Sequence, residues 1–451
     1  MSTRPNLLFV FADQWRYEAA GFAGNRQVRT PAMDRFAERS FQFTQAVSGC
    51  PVCSPYRASL MTGQYPHVHG VIVNDQAICG PAVPLGEAFR RAGYDTAYIG
   101  KWHLTLHDRD RFVRPEERLG FDFWRGYGCS HDYGHSPYHA DDDPTVRYWD
   151  GYDAAAQTDE ACRYILGRPG KSRPFALVLS WGPPHNPYDT APVEFRRLYN
   201  PAAIRLRPNV PAEAAQRARV ELAGYYAHVS ALDACFDRLL QALEQSAAAE
   251  DTAVVLTSDH GDMLGSQGLW RKQHPYEESI RVPWVLSWPA GLGRRRRRDP
   301  TPFDAPDILP TLLGLCGLPI PPTVQGTDFS PLIRDGRPAA TDGALLACYR
   351  PFHELSYARG GRDYRGLRTR RYTYCRGHDG PWLLFDNTAD PYQLRNLVGD
   401  PAAFSVVAEL DRCLTARIRR LGDAFDDGEE LLAKWGIRLN ENGDIYFTWN
   451  R

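Results

Sequence analysis

Two short apolar runs each stop abruptly at an acidic residue, and this limits the possible folds more than any other feature of the chain. Asn6–Ala12 (NLLFVFA) ends in Asp13-Gln14, and Thr252–Thr257 (TAVVLT) runs directly into Ser258-Asp259-His260-Gly261-Asp262. Runs of this length, rich in β-branched and aromatic residues, read as strands buried on both faces, as in a parallel sheet covered by helices. In open sheets of that kind, ligands gather beyond the carboxyl ends of the strands. Both acidic pairs fall at that end, so neighbouring strands can bring them to one point. Carboxylates, an amide oxygen and an imidazole together make a mainly hard donor set, suited to Ca²⁺, Mg²⁺ or Mn²⁺.

The surrounding pattern supports an α/β fold. Thr30-Pro31 opens a helix that runs to Arg39, and Leu85–Ala92 reads as a helix closed by Gly93. Thr96–Ile99, Phe175–Trp181 and Val282–Ser287 read as strands, and Ala212–Gln245 and Ala305–Leu315 as helices. This alternation predicts a mostly parallel sheet flanked by helices. After about Asp342 short aromatic segments (Leu345–Tyr349, Arg371–Cys375, Trp382–Phe385) alternate with turn residues, predicting a small antiparallel sheet closed by a helix over Ala402–Leu421. Gly428–Arg451 reads as an irregular tail. The expected division is a catalytic α/β domain over residues 1–341 and a smaller C-terminal α+β subdomain over 342–451, in line with roughly two to three units at ~150 residues each.

Charge and cysteines narrow the function classes. The 53 Lys+Arg and 54 Asp+Glu nearly cancel, so no general attraction to nucleic acid or to an anionic membrane is expected. Selection of an anion must come from a few placed cations. The Arg294–Arg298 run reads as a solvated loop. Met1–Pro5 is too short a lead for a secretory signal, and no run reaches the ~18 apolar residues of a membrane span, so a soluble, cytoplasmic protein is expected. The ten cysteines show no repeated spacing; Cys50 and Cys53 form a C-x-x-C, but no second half-site follows, and mostly buried reduced thiols are expected.

Cys53-Ser54-Pro55-Tyr56-Arg57, followed by Ala-Ser-Leu-Met-Thr up to Gly63, resembles the signature of the sulfatase family. Further segments resemble that family in the same order: Gly100-Lys101-Trp102-His103, Gly182-Pro183-Pro184-His185-Asn186-Pro187, Ser258–Asp262, and Lys272 followed by Tyr276-Glu277-Glu278-Ser279-Ile280-Arg281-Val282-Pro283. Phe385-Asp386-Asn387, Asp390-Pro391 and Asn396-Leu397 resemble its C-terminal subdomain. The resemblance covers roughly Asn6 to Leu397 and implies an alkaline-phosphatase-like fold and hydrolysis of a sulfate ester, with a carbohydrate ester as one expected substrate, through formylglycine made from Cys53 by a maturation enzyme. A hydrated aldehyde offers one hydroxyl to attack sulfur and a second whose deprotonation expels sulfate.

Carried over residue by residue, the resemblance implies that Asp13, Gln14, Asp259 and His260 hold a divalent cation, expected to be Ca²⁺, with Mn²⁺ or Mg²⁺ as alternatives. Arg57 and Lys101 would hold the formylglycine hydrate, His103 would take a proton from it, and His185 and Lys272 would bind sulfate and assist the leaving oxygen. Two departures stand out. Gln14 sits where many members carry a second acid, which leaves the bound cation more net positive charge. Tyr56 sits where many carry Ser, within the segment that the maturation enzyme reads.

Competing readings use the same residues differently. The same nucleophile suits phosphonate monoesters or phosphate diesters; a binding protein could keep the fold without turnover; and a Cys50–Cys53 redox pair would need no metal. Segments rich in His, Tyr and Asp (His131–His139, Asp141–Asp143, Asn74–Gln76, His67–His69) are candidates to face the substrate, where stacking and hydrogen bonding would suit a sugar. The oligomeric state is open at this point, and a homo-oligomer is one of its outcomes.

Overall fold

The computed structural model describes residues 4–106, 109, 111–168, 172–439 and 445–446. Its centre is a ten-stranded sheet built from β1 (Asn6–Asp13), β2 (Phe41–Phe43), β3 (Asp95–Lys101), β4 (Phe123–Tyr127), β5 (Pro137–Ala140), β6 (Asp143–Tyr148), β7 (Phe175–Pro184), β8 (Thr252–Ser258), β9 (Trp284–Ser287) and β10 (Arg297–Asp299). The strand order is β10-β2-β9-β8-β1-β7-β3-β4-β5-β6. The middle, β8-β1-β7-β3-β4, is parallel throughout. Antiparallel pairs β8-β9, β9-β2, β4-β5 and β5-β6 lie toward the two edges.

The unbroken apolar character of β1 follows from burial on both faces. Leu8, Val10 and Ala12 pack toward the long helix Ala215–Gln245, meeting Tyr225, Leu232 and Phe236. Leu7, Phe9 and Phe11 point the other way, into a core shared with Tyr56 and Leu60 of the helix Cys53–Thr62 and Leu309 and Leu312 of the helix Ala305–Leu315. With a side-chain period of two, each face receives alternate residues, and both faces are covered.

A second sheet follows, antiparallel, in the order β11 (Ala344–Cys348), β12 (Tyr364–Arg368), β13 (Tyr372–Gly377), β14 (Gly380–Asp386). One face packs Leu345, Leu367, Tyr374 and Leu384 against Leu410 and Leu414 of the helix Phe404–Leu421. The other packs Leu346, Tyr364 and Phe385 with Val47 and Ile280. Through Arg368, which grips the buried Glu277 with Nε and Nη2 at 2.6 and 3.0 Å, this sheet braces the segment just after Lys272.

The chain returns to this sheet through a fully desolvated ion pair. Arg365 Nε and Nη2 donate to the two oxygens of Asp423 at 2.6 and 3.2 Å, both side chains being buried. Burial alone would raise the Asp423 carboxyl, but Arg365 outweighs it and holds it below its ordinary range. The pair therefore adds stability above the unfolded carboxyl pKa, and that stability is lost as pH falls. Asp423→Ala strands the guanidinium and is expected to cost about 3–5 kcal/mol, read as a fall in the thermal or denaturant midpoint at neutral pH.

Three expectations need correction. Gly428–Arg451 is not wholly irregular: Asp427 caps a helix over Gly428–Lys434 by accepting from Glu430 N, while Glu430 accepts from Asp427 N, and Arg438–Leu439 pairs with Ile445–Tyr446. The Arg294–Arg298 run is only partly a loop, because Arg297–Asp299 adds a parallel edge strand to Phe41–Phe43. The stretch from His131 to Asp143, which shows no strand pattern in the sequence, runs into the β5–β6 hairpin. No helix among the described residues is long and apolar enough to cross a membrane.

Candidate active site

The parallel pairing of β1 with β8 places Ala12 opposite Ser258, so Asp13 and Asp259 leave the sheet side by side. The chain then turns sharply. Gln14 adopts a left-handed φ of 68°, held by its N–H to Asp259 Oδ1 (2.9 Å) and by Tyr225 OH donating to its carbonyl (2.5 Å). Two strands along, β3 delivers Lys101. Gly100 has φ 103°, and a Cβ there would lie 2.1 Å from the Ser180 carbonyl, so only glycine permits this close approach to β7. Cys53 is the first residue of its helix, where exposed N–H groups and the helix dipole favour negative charge. Arg57 sits one turn on, on the same face.

These elements converge. Cys53 Sγ lies 3.2 Å from His260 Nε2, 3.2 Å from Lys272 Nζ and 3.7 Å from Asp13 Oδ1. Lys272 Nζ also donates to Gln14 Oε1 and to His185 Nε2, each at 3.0 Å. Lys101 Nζ contacts Asp13 Oδ2 at 2.5 Å, and Arg57 Nη2 bridges Asp13 Oδ2 (3.2 Å) and Asp259 Oδ2 (3.1 Å). All ten residues expected from sequence are buried. Nine of them form this one cluster, and His103 joins it through Asp75 and Ser54, described below.

Electrostatics follow from the packing. Burial and Asp13 push the Cys53 thiol up, but Lys272, Lys101 and His260 outweigh them and lower it well below the ordinary thiol range. Burial also raises Asp13, yet the Lys101, Arg57 and Lys272 cations hold it well below the ordinary carboxyl range. Burial and the neighbouring Asp13 raise Asp259. Burial, Lys272 and His131 keep His185 neutral by lowering it well below the ordinary imidazole range. Burial works against charging His103, but Cys129 and the hydrogen bond to Asp75 bring it up to about 9.

Donor atoms of Asp13, Cys53, Asp259 and His260 all lie within 4.8 Å of one another, a grouping that fits a cation. His260 Nε2 stands 3.7 Å from Asp13 Oδ1 and 3.6 Å from Asp259 Oδ1. Adjacent ligands on an ion with bonds of 2.3–2.6 Å are separated by about 3.3–3.7 Å, so this spacing suits a hard cation. The imidazole has the right tautomer: Nδ1 donates to the Gly261 carbonyl at 2.9 Å, leaving the Nε2 lone pair directed at the carboxylates. Asp259 outweighs the burial that would lower His260, so the imidazole pKa is raised, as expected of a base facing carboxylates where a cation belongs.

Asp262, the second acid of Ser258–Asp262, sets the orientation of Gln14, a role that the sequence reading did not assign. Its Oδ2 accepts from Gln14 Nε2 at 2.7 Å and from Tyr188 OH. A carboxylate only accepts, so the amide NH₂ must face Asp262 and Oε1 must face Lys272 and the cluster.

Of the candidate substrate-facing segments, Asn74 and His131 line a cavity of about 1040 Å³ that also includes Gln14, His185, Trp270 and Lys272. His131 stacks flat on His185, the ring centroids 4.3 Å apart. Asp75 accepts from His103 Nε2 at 3.0 Å and is gripped by Arg109 Nε and Nη2 at 2.8 and 2.7 Å. His67 and His69 do not face this cavity. His67 bonds the Tyr349 hydroxyl and the Leu421 carbonyl, and His69 bonds Ser59 Oγ in the core. Cys50 is a free thiol that burial pushes up to about 12, quite unlike its neighbour Cys53.

Comparison with known proteins gives matches over most of the chain. The model of the Sulfatase family matches residues 5–318, and that of the N-sulphoglucosamine sulphohydrolase C-terminal region matches 265–420. An ulvan-active sulfatase of Formosa agariphila is 40% identical over 99% of this chain and 87% of its own length. An endo-4-O-sulfatase of Bacteroides thetaiotaomicron is 32% identical over 93% of each chain. A solved structure described under the metabolism of multiple glycosaminoglycans by Bacteroides thetaiotaomicron superposes with a TM-score of 0.84 at 30% identity, covering 96% of this chain and 99% of its own.

Proposed function

The chain belongs to the sulfatase family, and from that premise we propose that it hydrolyses sulfate esters of a carbohydrate, with formylglycine derived from Cys53 as nucleophile. The observation that carries the reading is the surroundings of Cys53: a helix N-terminus, a divalent-cation donor set on one side, and Arg57, Lys101 and Lys272 on the others. A cysteine needs no such concentration of positive charge, whereas a hydrated aldehyde attacking a tetrahedral anion does. The carbohydrate part draws on the printed names of the two relatives and on a cavity much larger than a sulfate requires.

Asp13, Asp259 and His260 would hold a divalent cation, with Gln14 Oε1 completing the set. Bound there, it would supply Lewis acidity toward the sulfuryl oxygens. Ca²⁺ remains the expected ion, and the Gln14 and His260 donors leave room for Mn²⁺ or Mg²⁺. The remaining work falls to side chains. Lys101 and Arg57 orient residue 53 and offset its developing charge. Lys272 and His185 face the same point and would hold the transferred group, with Lys272 the proton source for the leaving oxygen and the neutral His185 an acceptor for Lys272. His103 would take the proton of the second hydroxyl as sulfate departs.

Maturation fits a distinct time in the life of the chain. Every residue from Cys53 to Thr62 is buried, Tyr56 included, so a formylglycine-generating enzyme would have to read the segment before the chain closes over it.

Two outcomes test these roles. Dialysis against EDTA should lower turnover by more than about 10-fold and depress the thermal midpoint, and adding back Ca²⁺ or Mn²⁺ should restore both, because a ligand bound only by the folded state stabilises it. Turnover of aryl sulfates should exceed that of aryl phosphonate monoesters, with sulfated oligosaccharides better still. The reverse order would assign the same machinery to phosphonate or phosphodiester hydrolysis instead.

A further inference from the structure

We propose that Asp75 is a positioning residue for His103, and that Arg109 and Ser54 hold Asp75 in place for that purpose. The inference rests on the formylglycine reading for the step that His103 performs, but its geometry stands independently.

Two non-glycine residues with left-handed backbone face each other here: Asp75 at φ 60° and His103 at φ 56°. Such conformations are unfavourable for side-chain-bearing residues and persist only where the surroundings impose them. The surroundings are specific. Asp75 Oδ1 accepts from His103 Nε2 at 3.0 Å, and the same carboxylate is clamped in bidentate fashion by Arg109. Ser54, the residue after the nucleophile, donates its hydroxyl to the His103 carbonyl at 2.7 Å and accepts from Asp75 N–H at 3.2 Å. Its own N–H is held by Asn74 Oδ1 at 3.1 Å. One serine thus ties the nucleophile helix to the two loops bearing the Asp75–His103 pair.

The chemical consequence is a fixed tautomer. A carboxylate at Nε2 requires a proton there, so Nδ1 presents its lone pair. Nδ1 is buried and has no hydrogen-bond partner among the described residues, so in the neutral ring it is the nitrogen that takes the proton; the pKa of about 9 carries a contribution from the Cys53 thiol that conversion to formylglycine removes. Apart from Asp75, the titratable groups acting on His103 are Cys129, Lys101 and Cys53 itself. In the release step, the remaining hydroxyl of sulfated residue 53 would give its proton to Nδ1. The carbonyl C=O forms, the C–O bond to sulfate breaks, and its electron pair leaves on sulfate. Water then adds to the aldehyde and restores the hydrate. The imidazolium formed in between faces Asp75, the same division of labour as in a Ser-His-Asp triad, where the acid orients and stabilises the imidazole without taking its proton.

The test is a double-mutant cycle on the full-length matured enzyme, using whichever ester the wild type turns over. Asp75→Asn should lower kcat by about 10²–10³-fold with KM within about threefold. Arg109→Ala should do the same more weakly. Asp75→Asn added to His103→Ala should cost no more than about twofold beyond His103→Ala alone, because the residue has nothing left to position. A full additional loss in the His103→Ala background, or a kcat for Asp75→Asn within twofold of wild type, overturns the proposal. A second readout needs no activity: a crystal structure of Asp75→Ala with Cys53 unconverted should show the His103 ring displaced or split between orientations. An unmoved ring overturns the proposal. If Asp75→Ala does not fold, Arg109→Ala takes its place, with a shifted Asp75–His103 pair expected and an unmoved pair contrary. A wild type without esterase activity would sink the formylglycine reading, while the crystal structure would still decide the placement.

Discussion

Cys53→Ala is expected to lower sulfate-ester turnover on the order of 10⁴-fold or more, while the thermal midpoint moves by only a few degrees. The size of the loss follows from the nature of a covalent mechanism. Without a nucleophile, the remaining groups can only bind and polarise, and removal of a nucleophile in comparable machinery costs about that much or more. The small effect on stability follows from the site. The thiol is surrounded by Lys272, His260 and Asp13, which retain partners in one another and in Gln14 and His185 after the sulfur is gone. Cys53→Ser is expected to be equally inactive where maturation acts only on cysteine, because a buried serine hydroxyl has no second hydroxyl with which to expel sulfate. Initial rates on an aryl sulfate, with thermal melts in parallel, check both. Wild-type turnover from Cys53→Ala would remove residue 53 from the chemistry.

Arg57→Met should destabilise the metal-free fold more than any other substitution within the site. Among the described arginines and lysines, Arg57 is the one that pairs with both Asp13 and Asp259, and it also donates to the Lys101 carbonyl and Ser180 Oγ at 2.7 and 2.8 Å. Its removal leaves two buried carboxylates with Lys101 as the nearest remaining cation, at a cost of about 3–5 kcal/mol. Arg57→Lys recovers only part of this, since an ammonium is a point donor and cannot span both acids and two further acceptors. A divalent cation between the same carboxylates would replace the missing charge. The thermal midpoint of Arg57→Met should therefore be low in EDTA and rise with added Ca²⁺ or Mn²⁺ by more than that of the wild type. Equal shifts in the two proteins would mean that the cation sits elsewhere.

The parts of the site that lie on strand ends were legible from sequence for a physical reason. Short apolar runs ending at Asp13 and Asp259 read as buried strands whose polar ends can share an edge, and β1 does pair with β8 in that register. Cys53, Lys101, His185 and Lys272 were legible through resemblance to a family, since nothing in their spacing alone brings them together. The orientation of Gln14 was not legible. It depends on Asp262 and Tyr188, which lie 248 and 174 residues away in the chain. Asp75 was visible only as a polar residue in a candidate segment, because its contact with His103 depends on two left-handed turns that a string of ordinary residues does not announce.

Elsewhere the misses have similar causes. The β5–β6 hairpin lies at a sheet edge, and β6 is largely exposed, so no apolar alternation marks it. Arg297–Asp299 forms a strand because Phe41–Phe43 offers it an unpaired edge, not because of any propensity in an arginine run. The helix Gly428–Lys434 is different: Asp427 and Glu430 carry the usual capping-box spacing, so that signal was present.

The most direct test of the account is peptide mass spectrometry across Cys53, on protein produced with a formylglycine-generating enzyme and assayed from the same batch. The expected result is a peptide lighter than its encoded mass by the difference between a CH₂SH group and an aldehyde, with sulfate-ester turnover proportional to the converted fraction. Full turnover from protein in which Cys53 remains an unmodified thiol would contradict it.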